Sequence, residues 1–425
     1  MVRSSVVYDQ QWVRTAGLRG RKVLIAARIA QPRPSRAFLA VAALLLFAAL
    51  RPASAQPSDV PPTVLVAPLT VGRAGVIYGN PIVAVSPGGE VTIVAESGSA
   101  GGRRLAVADL TPTGWGPMMP LDFSGPGDCC NPSITYDSSG VLHVVWSEKQ
   151  SGAYAIRYAR RSPAGQWRDE GTLSVTPDRN CEFPQIAGDR SGRIWATWQA
   201  GVSTRYGIYL AWRDGDASFT VRDITGPRGD HHNLYPQLLP DSPYLLVWYE
   251  EAGTDFRLQS AVRTTRGTGF EIVAPLDFER LDANEFPWLF QAPSSGMLGA
   301  VWTDLIASRE RVFIGYQGAS SRGEGLVADT TAGGDAVPPC SAVTIRENSV
   351  VIAWTSRLPL GSVVCVGRVD GVSRVGTSLV LPAPPDGSYS RPRLAVGGGR
   401  VVHCVWFSDA ARGGNGGAYY AALRF

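Results

Sequence analysis

The chain has 425 residues, a formal net charge of +4, 44% hydrophobic residues, 48 Gly and 31 Pro. Residues 1–55 hold nine Lys or Arg and one acid, so residues 56–425 carry 31 basic against 35 acidic side chains, a formal charge of about −4. That balance shows no basic stripe of the kind a nucleic-acid partner requires.

The front of the chain reads as a leader. Phe38–Leu50 is an apolar run of 13 residues, preceded by Arg33 and Arg36 and followed by Ala53-Ser54-Ala55. A membrane span needs roughly 20 residues, whereas a short run ending in a small-residue signature suits a cleaved signal peptide. The expected organisation is an N-terminal extension plus signal peptide over 1–55 and a single domain over 56–425. That places the protein in the secreted, periplasmic or cell-surface class, with no stable membrane span after cleavage. The tract ahead of the run is long for a signal peptide, so an internal start and a cytoplasmic extension both remain open.

The next element is a strand, Thr63-Val64-Leu65-Val66-Ala67-Pro68-Leu69. It resembles Ile272-Val273-Ala274-Pro275-Leu276 much further along. A repeat then begins. Its clearest copy is Asn131–Trp167, with strands at Pro132–Tyr136, Val141–Trp146 and Ala153–Arg160 and a turn at Asp137-Ser138-Ser139-Gly140. Further copies begin at Phe183, Tyr235 and Phe286, and weaker ones at Asn80, Val337 and Arg391. The marker prolines Pro81, Pro132, Pro184, Pro236, Pro287, Pro338 and Pro392 are spaced 51, 52, 52, 51, 51 and 54 residues apart. A period near 50 with an aromatic hairpin in each unit signals an all-β propeller, here seven-bladed with four-stranded antiparallel blades.

Fourth strands are expected at Met118–Phe123, Gly171–Thr176, Phe219–Thr225, Glu271–Leu276, Leu326–Thr330 and Thr377–Leu381. The seventh triplet, from Arg391 to Phe425, has none. The strand at about 63–70 therefore completes the last blade and closes the ring, which hides two sheet edges. Each marker proline is expected at the start of an innermost strand, where a missing N–H costs least. Trp146, Trp198, Trp248, Trp302, Trp354 and Trp406 end the second strands and read as packing between blades.

All six cysteines follow residue 55, and export permits disulfides. A bridge from Cys129 or Cys130 to Cys181 joins neighbouring loops and is the expected pairing.

Ligands of propellers meet the mouth of the central channel, where leading loops and second-to-third hairpins converge. Those loops hold the candidate binding residues Asp128, Asn131, Arg179, His231, His232, Asn233, Asn284 and Arg391. The tripeptide Glu-Phe-Pro occurs twice, placing Glu182 and Glu285 at the same rim position. Two such carboxylates either cap loop amides or face one cavity. In the second case they can divide into acid and nucleophile or base. A further acidic series, Glu148, Glu250 and Asp304, with Glu96 in the first repeat and Asp409 one residue late, follows the tryptophans. It is expected to accept loop N–H bonds and to make the mouth electronegative. A hard cation such as calcium would suit that charge, but no DxDxDG run is present and no other cofactor or metal is expected. His143 and His403 lie inside second strands and read as packed.

Hairpins of the form P-x-[ILV]-x-x-D-x-x-G-x-x-x-V-x-W, as in Pro132–Trp146 and Pro184–Trp198, resemble exported bacterial propellers of the sialidase-like superfamily. Ser162–Trp167 is similar to an Asp box that keeps Ser, Gly and Trp without the Asp. The resemblance implies a six-bladed ring, an arginine triad, a Tyr–Glu nucleophile pair and an Asp acid in active members. This chain departs in blade count and lacks the F/Y-R-I-P motif. Tyr389-Ser390-Arg391-Pro392 puts its arginine one place late. Three function classes follow. The first is a module binding an extracellular glycan at the mouth. The second is a sialidase-like glycoside hydrolase using Glu182 and Glu285. The third is a structural or protein-docking propeller.

Overall fold

The computed structural model describes residues 62–72, 76, 78–98, 102–121, 123, 127–175, 178–202, 205–226, 232–239, 242–252, 255–263, 270–276, 287–291, 298–306, 309–317, 323–328, 335–346, 349–359, 361–370, 375–381, 388–409 and 417–425. The expected leader lies outside these residues. Seven separate antiparallel sheets follow one another along the chain, which is the seven-bladed propeller the repeat predicts. In the last sheet Thr63–Val71 pairs with Gly417–Arg424, which pairs with Val401–Asp409 and then with Ser388–Val396. Thr70 faces Tyr419 and Val71 faces Ala418. The N-terminal strand thus completes the blade made by the C-terminus. Among the described residues no helix is long and apolar enough to cross a membrane.

Seven apolar clusters hold the ring, each drawing side chains from two neighbouring blades. Trp146 joins Val94 and Leu105 at the first junction, and Trp198 joins Val145 and Tyr158 at the second. Val71 and Tyr78 meet Val405 and Tyr420 where the ring closes. All six marker tryptophans are fully buried. His143 and His403 are packed as well. His143 Nδ1 lies 2.8 Å from the Tyr158 hydroxyl, and His403 Nδ1 lies 2.7 Å from that of Tyr420. Burial pushes the His403 imidazole down to about 4.

Six of the seven prolines lie inside their strands, and Pro287 directly precedes its described strand, Trp288–Gln291. Cys129–Tyr136 carries Pro132 in its interior, and the register jumps there. Cys130 faces Ser147 and Ser133 faces Val145, so Asn131 and Pro132 together oppose Trp146. The same jump occurs at Gly79/Ile82, Glu182/Gln185, Leu234/Gln237 and Ser390/Arg393. In each of these five bulges the residue before proline is left-handed: Asn80, Asn131, Phe183, Tyr235 and Arg391 have φ between +48° and +56°. A bulge removes one ladder bond, so proline's missing N–H goes unmissed there.

Two expected fourth strands shift. The one expected at Met118–Phe123 is broken into Gly114–Trp115 and Met119–Pro120. The one expected at Gly171–Thr176 runs over Trp167–Thr172, because Trp167 pairs with Arg161 directly after the turn. The Cys129/Cys130–Cys181 bridge is not formed. None of the six cysteines is in a disulfide. Cys129 and Cys181 sit in the apolar clusters of different blade junctions. Their thiols turn back to the carbonyls of Gly127 at 3.7 Å and Arg179 at 3.6 Å.

If the tryptophans are the junctions, removing one is costly. Trp198 stacks on Tyr209 at 5.9 Å, and its indole N–H has no partner, so truncation loses packing alone. Trp198→Ala should cost about 3–5 kcal/mol in a urea titration; a loss below about 1 kcal/mol would show that the junction does not depend on it.

Candidate functional site

The five left-handed bulges lie towards the leading ends of the inner strands, on the side where second strands turn into third strands. On the first two blades the residue types gathered there form a locked charge knot. Asp128 is buried. Its Oδ1 accepts from the Arg103 backbone N–H and from Nε, both at 2.9 Å, and its Oδ2 accepts from the Tyr154 hydroxyl at 3.0 Å. Arg103 Nη1 also donates to Glu96 Oε2 at 3.1 Å. Glu96 Oε1 in turn accepts from Asn80 Nδ2 at 3.0 Å and from the Asn131 backbone N–H at 2.8 Å. The left-handed turn at Asn131 aims that N–H at the preceding blade. Gly127 allows the loop to pass here, since a Cβ on it would stand 1.9 Å from the Lys149 carbonyl oxygen.

Desolvation works to raise the Asp128 pKa, but the bonds and charge of Arg103, with Tyr154, outweigh it and hold the carboxyl at about 2. The bond to Asp128 likewise raises the Arg103 guanidinium above its ordinary value, against a desolvation cost. Both expected ligands of this loop are therefore committed to the wall. The Asp128 carboxylate is occupied on both oxygens, and Asn131 gives its backbone N–H to Glu96.

The knot continues into an aromatic wall on the second to fourth blades. The Tyr154 backbone N–H donates to Asn180 Oδ1 at 3.1 Å. The Tyr206 hydroxyl lies 3.3 Å from Glu182 Oε2 and donates to it, while the Tyr206 ring stacks on His232 with centroids 5.1 Å apart. Phe183 and Tyr235, two of the left-handed residues, meet edge to face at 4.7 Å. Tyr154, Asn180, Glu182, Phe183, Tyr206, His232 and Tyr235 are all half-buried, so each keeps some face to solvent. Burial raises the Glu182 pKa, and the Tyr206 hydrogen bond only partly offsets it. Burial lowers that of His232, against the charge of Glu251. His232 Nδ1 is buried without a hydrogen-bond partner. A carboxyl shifted up and an imidazole shifted down thus flank one phenol, and such perturbed groups concentrate at functional sites.

The other expected residues are spread around this wall. Asn233 is buried, donating to the Tyr206 carbonyl at 3.2 Å and accepting from the Trp248 indole at 2.8 Å. Arg179 is exposed and donates to the Tyr209 hydroxyl at 3.1 Å. Arg391 is exposed on the seventh blade. His231, Asn284 and Glu285 lie outside the described residues, as does the side chain of Asp304, whose backbone is in the strand Leu298–Ile306. The acidic series differs from expectation. Glu148 accepts from the Trp146 indole at 3.1 Å and Glu250 from the Gln259 amide at 2.8 Å, side-chain donors in place of the expected loop N–H groups. Glu96 does not share their register. It stands opposite Gly79 directly before the bulge, the place of Ser147 and Gln199. Gln199 does the same work as Glu96, accepting the Tyr235 backbone N–H at 2.8 Å. Among the described residues no three His, Cys, Asp or Glu side chains gather as a metal site.

Sequence reading passed over Arg103, Tyr154, Asn180 and Tyr206. A signal was available: Ala153-Tyr154, Arg205-Tyr206 and Asp255-Phe256 repeat an aromatic one residue into the third strand.

The lowered Asp128 pKa makes a pH prediction. A depressed carboxyl stabilises the fold above its unfolded value near 3.8, and that contribution fades as pH falls towards about 2. Asp128→Asn should therefore be about 2 kcal/mol less stable than the parent at pH 7. Urea titrations at descending pH should show the gap closing below about pH 4. A gap that stays constant with pH would refute the assignment.

No protein-family model and no curated protein sequence matches the chain. Solved structures do. A protein of unknown function from Dyadobacter fermentans is 13% identical, covering 86% of this chain and 99% of its own, with a TM-score of 0.51. An ulvan lyase of a new polysaccharide-lyase family is 11% identical over 85% of this chain and 95% of its own, with a TM-score of 0.55. A second polysaccharide lyase is 10% identical over 82% and 90%, with a TM-score of 0.54. At these identities the likeness is one of fold.

Proposed function

We propose that this protein is an exported propeller that binds an extracellular glycan at the mouth of its channel. The carrying observation is the wall of half-buried rings and polar groups formed by Tyr154, Asn180, Tyr206, Glu182 and His232. Sugars present apolar C–H faces flanked by hydroxyls. Rigid aromatic faces beside fixed donors and acceptors match both features at low entropic cost. Two structural neighbours are polysaccharide lyases by name, and the ulvan lyase is also known bound to -[GlcA(1-4)Rha3S]-. On this reading the leader over 1–55 directs export, and the domain over 56–425 works outside the cytoplasm.

A second reading, glycan cleavage, is favoured by one observation: the Glu182 carboxyl is raised by burial and stands against the Tyr206 hydroxyl. Burial supplies a proton-holding acid and the phenol a neighbour that shares its hydrogen bond. The two-carboxylate version with Glu285 would need a separation of about 5–5.5 Å for retention or 6.5–9.5 Å for inversion.

Titration calorimetry against a panel of polysaccharides tests both readings. Tyr206→Ala should weaken binding of any active glycan at least about tenfold, or 1.4 kcal/mol. No binding by folded protein anywhere in the panel, or equal binding by Tyr206→Ala, would remove the mouth as a glycan site. Release of new chain ends by the parent, lost in Glu182→Gln with binding retained, would establish cleavage in place of binding alone.

A further inference from the structure

On the second to fifth blades the residue after the marker proline forms a belt of links along the channel wall. Ser133 Oγ accepts the Ile186 backbone N–H at 3.1 Å, Gln185 Oε1 that of Leu238 at 3.1 Å, and Gln237 Oε1 that of Leu289 at 3.2 Å. Trp288 continues the belt by donating its indole N–H to the Ala342 carbonyl at 2.9 Å. Each side chain therefore reaches to the next blade. Arg393, the equivalent residue on the seventh blade, does not. Its guanidinium lies over the Trp288 ring, 4.7 Å from the centroid. Trp288 belongs to the fifth blade and its indole bonds to the sixth, so Arg393 stacks on a ring that reaches to the blade before its own.

This cation lacks what the other sheltered arginines have. Arg103 is held by Glu96 and Asp128, Arg161 by Asp109, and Arg368 by Asp370. Arg393 Nη1 is buried with no hydrogen-bond partner, and no described carboxylate pairs with it. The nearest charge acting on it is a second cation, Arg391, two residues earlier and exposed. Burial first, and Arg391 second, push the Arg393 guanidinium down to about 10, which leaves it charged at neutral pH. Arg393 as a whole is half-buried, but a guanidinium whose Nη1 is buried and unbonded, with no described counter-charge, is costly, and stacking on one indole offsets only part of that cost. The planar fork of Arg matches oxyanions in a bidentate manner.

We propose that the throat of the channel is a seat for an oxyanion, a sulfate or carboxylate group held by Arg393 on its Trp288 platform with Arg391 beside it. The oxyanion is either a free ion or the acidic group of a sugar. In the second case the inference rests on the glycan reading and makes the ligand an acidic glycan.

The test is thermal unfolding of the full chain with sodium sulfate, sodium glucuronate or neutral glucose, each against sodium chloride at matched ionic strength. Sulfate and glucuronate should each raise the melting temperature of the parent by about 3 °C at saturation, and glucose should not. Arg393→Met keeps the packing length and removes the charge. It should melt at the same temperature as the parent or higher without anion, and it should lose the response to glucuronate and keep only the general salting part of the response to sulfate. Any general salting effect of sulfate persists in Arg393→Met and is subtracted by it. A response to sulfate alone would assign the seat to a free ion and detach it from the glycan reading. A response to glucuronate would join the two. Equal anion responses in parent and Arg393→Met, or none in the parent, would overturn the seat. Neutral-glycan binding that survives Arg393→Met would leave the mouth reading standing without it.

Discussion

The left-handed residue before each marker proline is the constraint on which the rest of the molecule depends. An L-residue at φ near +50° is disfavoured, and a following proline narrows its choices further. The chain accepts that cost five times at the same place, at Asn80, Asn131, Phe183, Tyr235 and Arg391. The return is geometric. Each bulge sets two residues against one: on four of the five the facing residue is a buried tryptophan, and on the first blade it is Ala95. It also swings a backbone N–H out of its own ladder. On the second and fourth blades that N–H finds an acceptor on the preceding blade, Glu96 or Gln199. Packing between blades and polar bonding between blades therefore come from one local distortion.

The same distortion explains why the wall of the mouth is built from backbone-fixed side chains. A residue in the bulge cannot rotate freely about its own φ without breaking a neighbour's hydrogen bond. Tyr235 is such a residue, its N–H held by Gln199, and its ring touches that of Phe183 in the bulge of the preceding blade. Strain of this kind persists only where surrounding contacts over-determine it, and it concentrates at binding surfaces. Further out, Asp128, Arg103 and Glu96 satisfy one another so fully that they serve as frame for Tyr154 and, through Asn180, for Tyr206. Polar residues near a mouth need not all face a ligand. Some are consumed in holding the ones that do.

Much of this was readable from the residues. The even spacing of prolines and tryptophans gives blade number and junctions, and the likeness of Val64–Leu69 to a fourth strand gives the closure. The reading failed where one repeat lacks its marker. Ala95 stands where later blades have tryptophan, so Glu96 is easily placed one residue out of register. It failed at the cysteines because proximity in the repeat says nothing about which way a side chain leaves its strand. Cys129 and Cys181 leave towards different junctions. It was silent about the throat because Ile82, Ser133, Gln185, Gln237, Trp288 and Arg393 share no composition. Only their common offset from proline unites them, and what each side chain does there depends on the next blade.

That dependence bears on how a repeat architecture acquires a site. Identical blades would stitch the belt evenly and leave the throat uniform. Where Ser or Gln accepts from the next inner strand, the wall is closed and neutral. At Trp288 the belt switches from accepting to donating and presents an aromatic face. At Arg393 it breaks, because a guanidinium has no acceptor to offer the next N–H and must find its partner elsewhere. It stacks on the Trp288 indole, and among the described residues its buried Nη1 has no hydrogen-bond partner. The departure from the repeat, rather than the repeat, is thus what gives the axis of this propeller a chemical character.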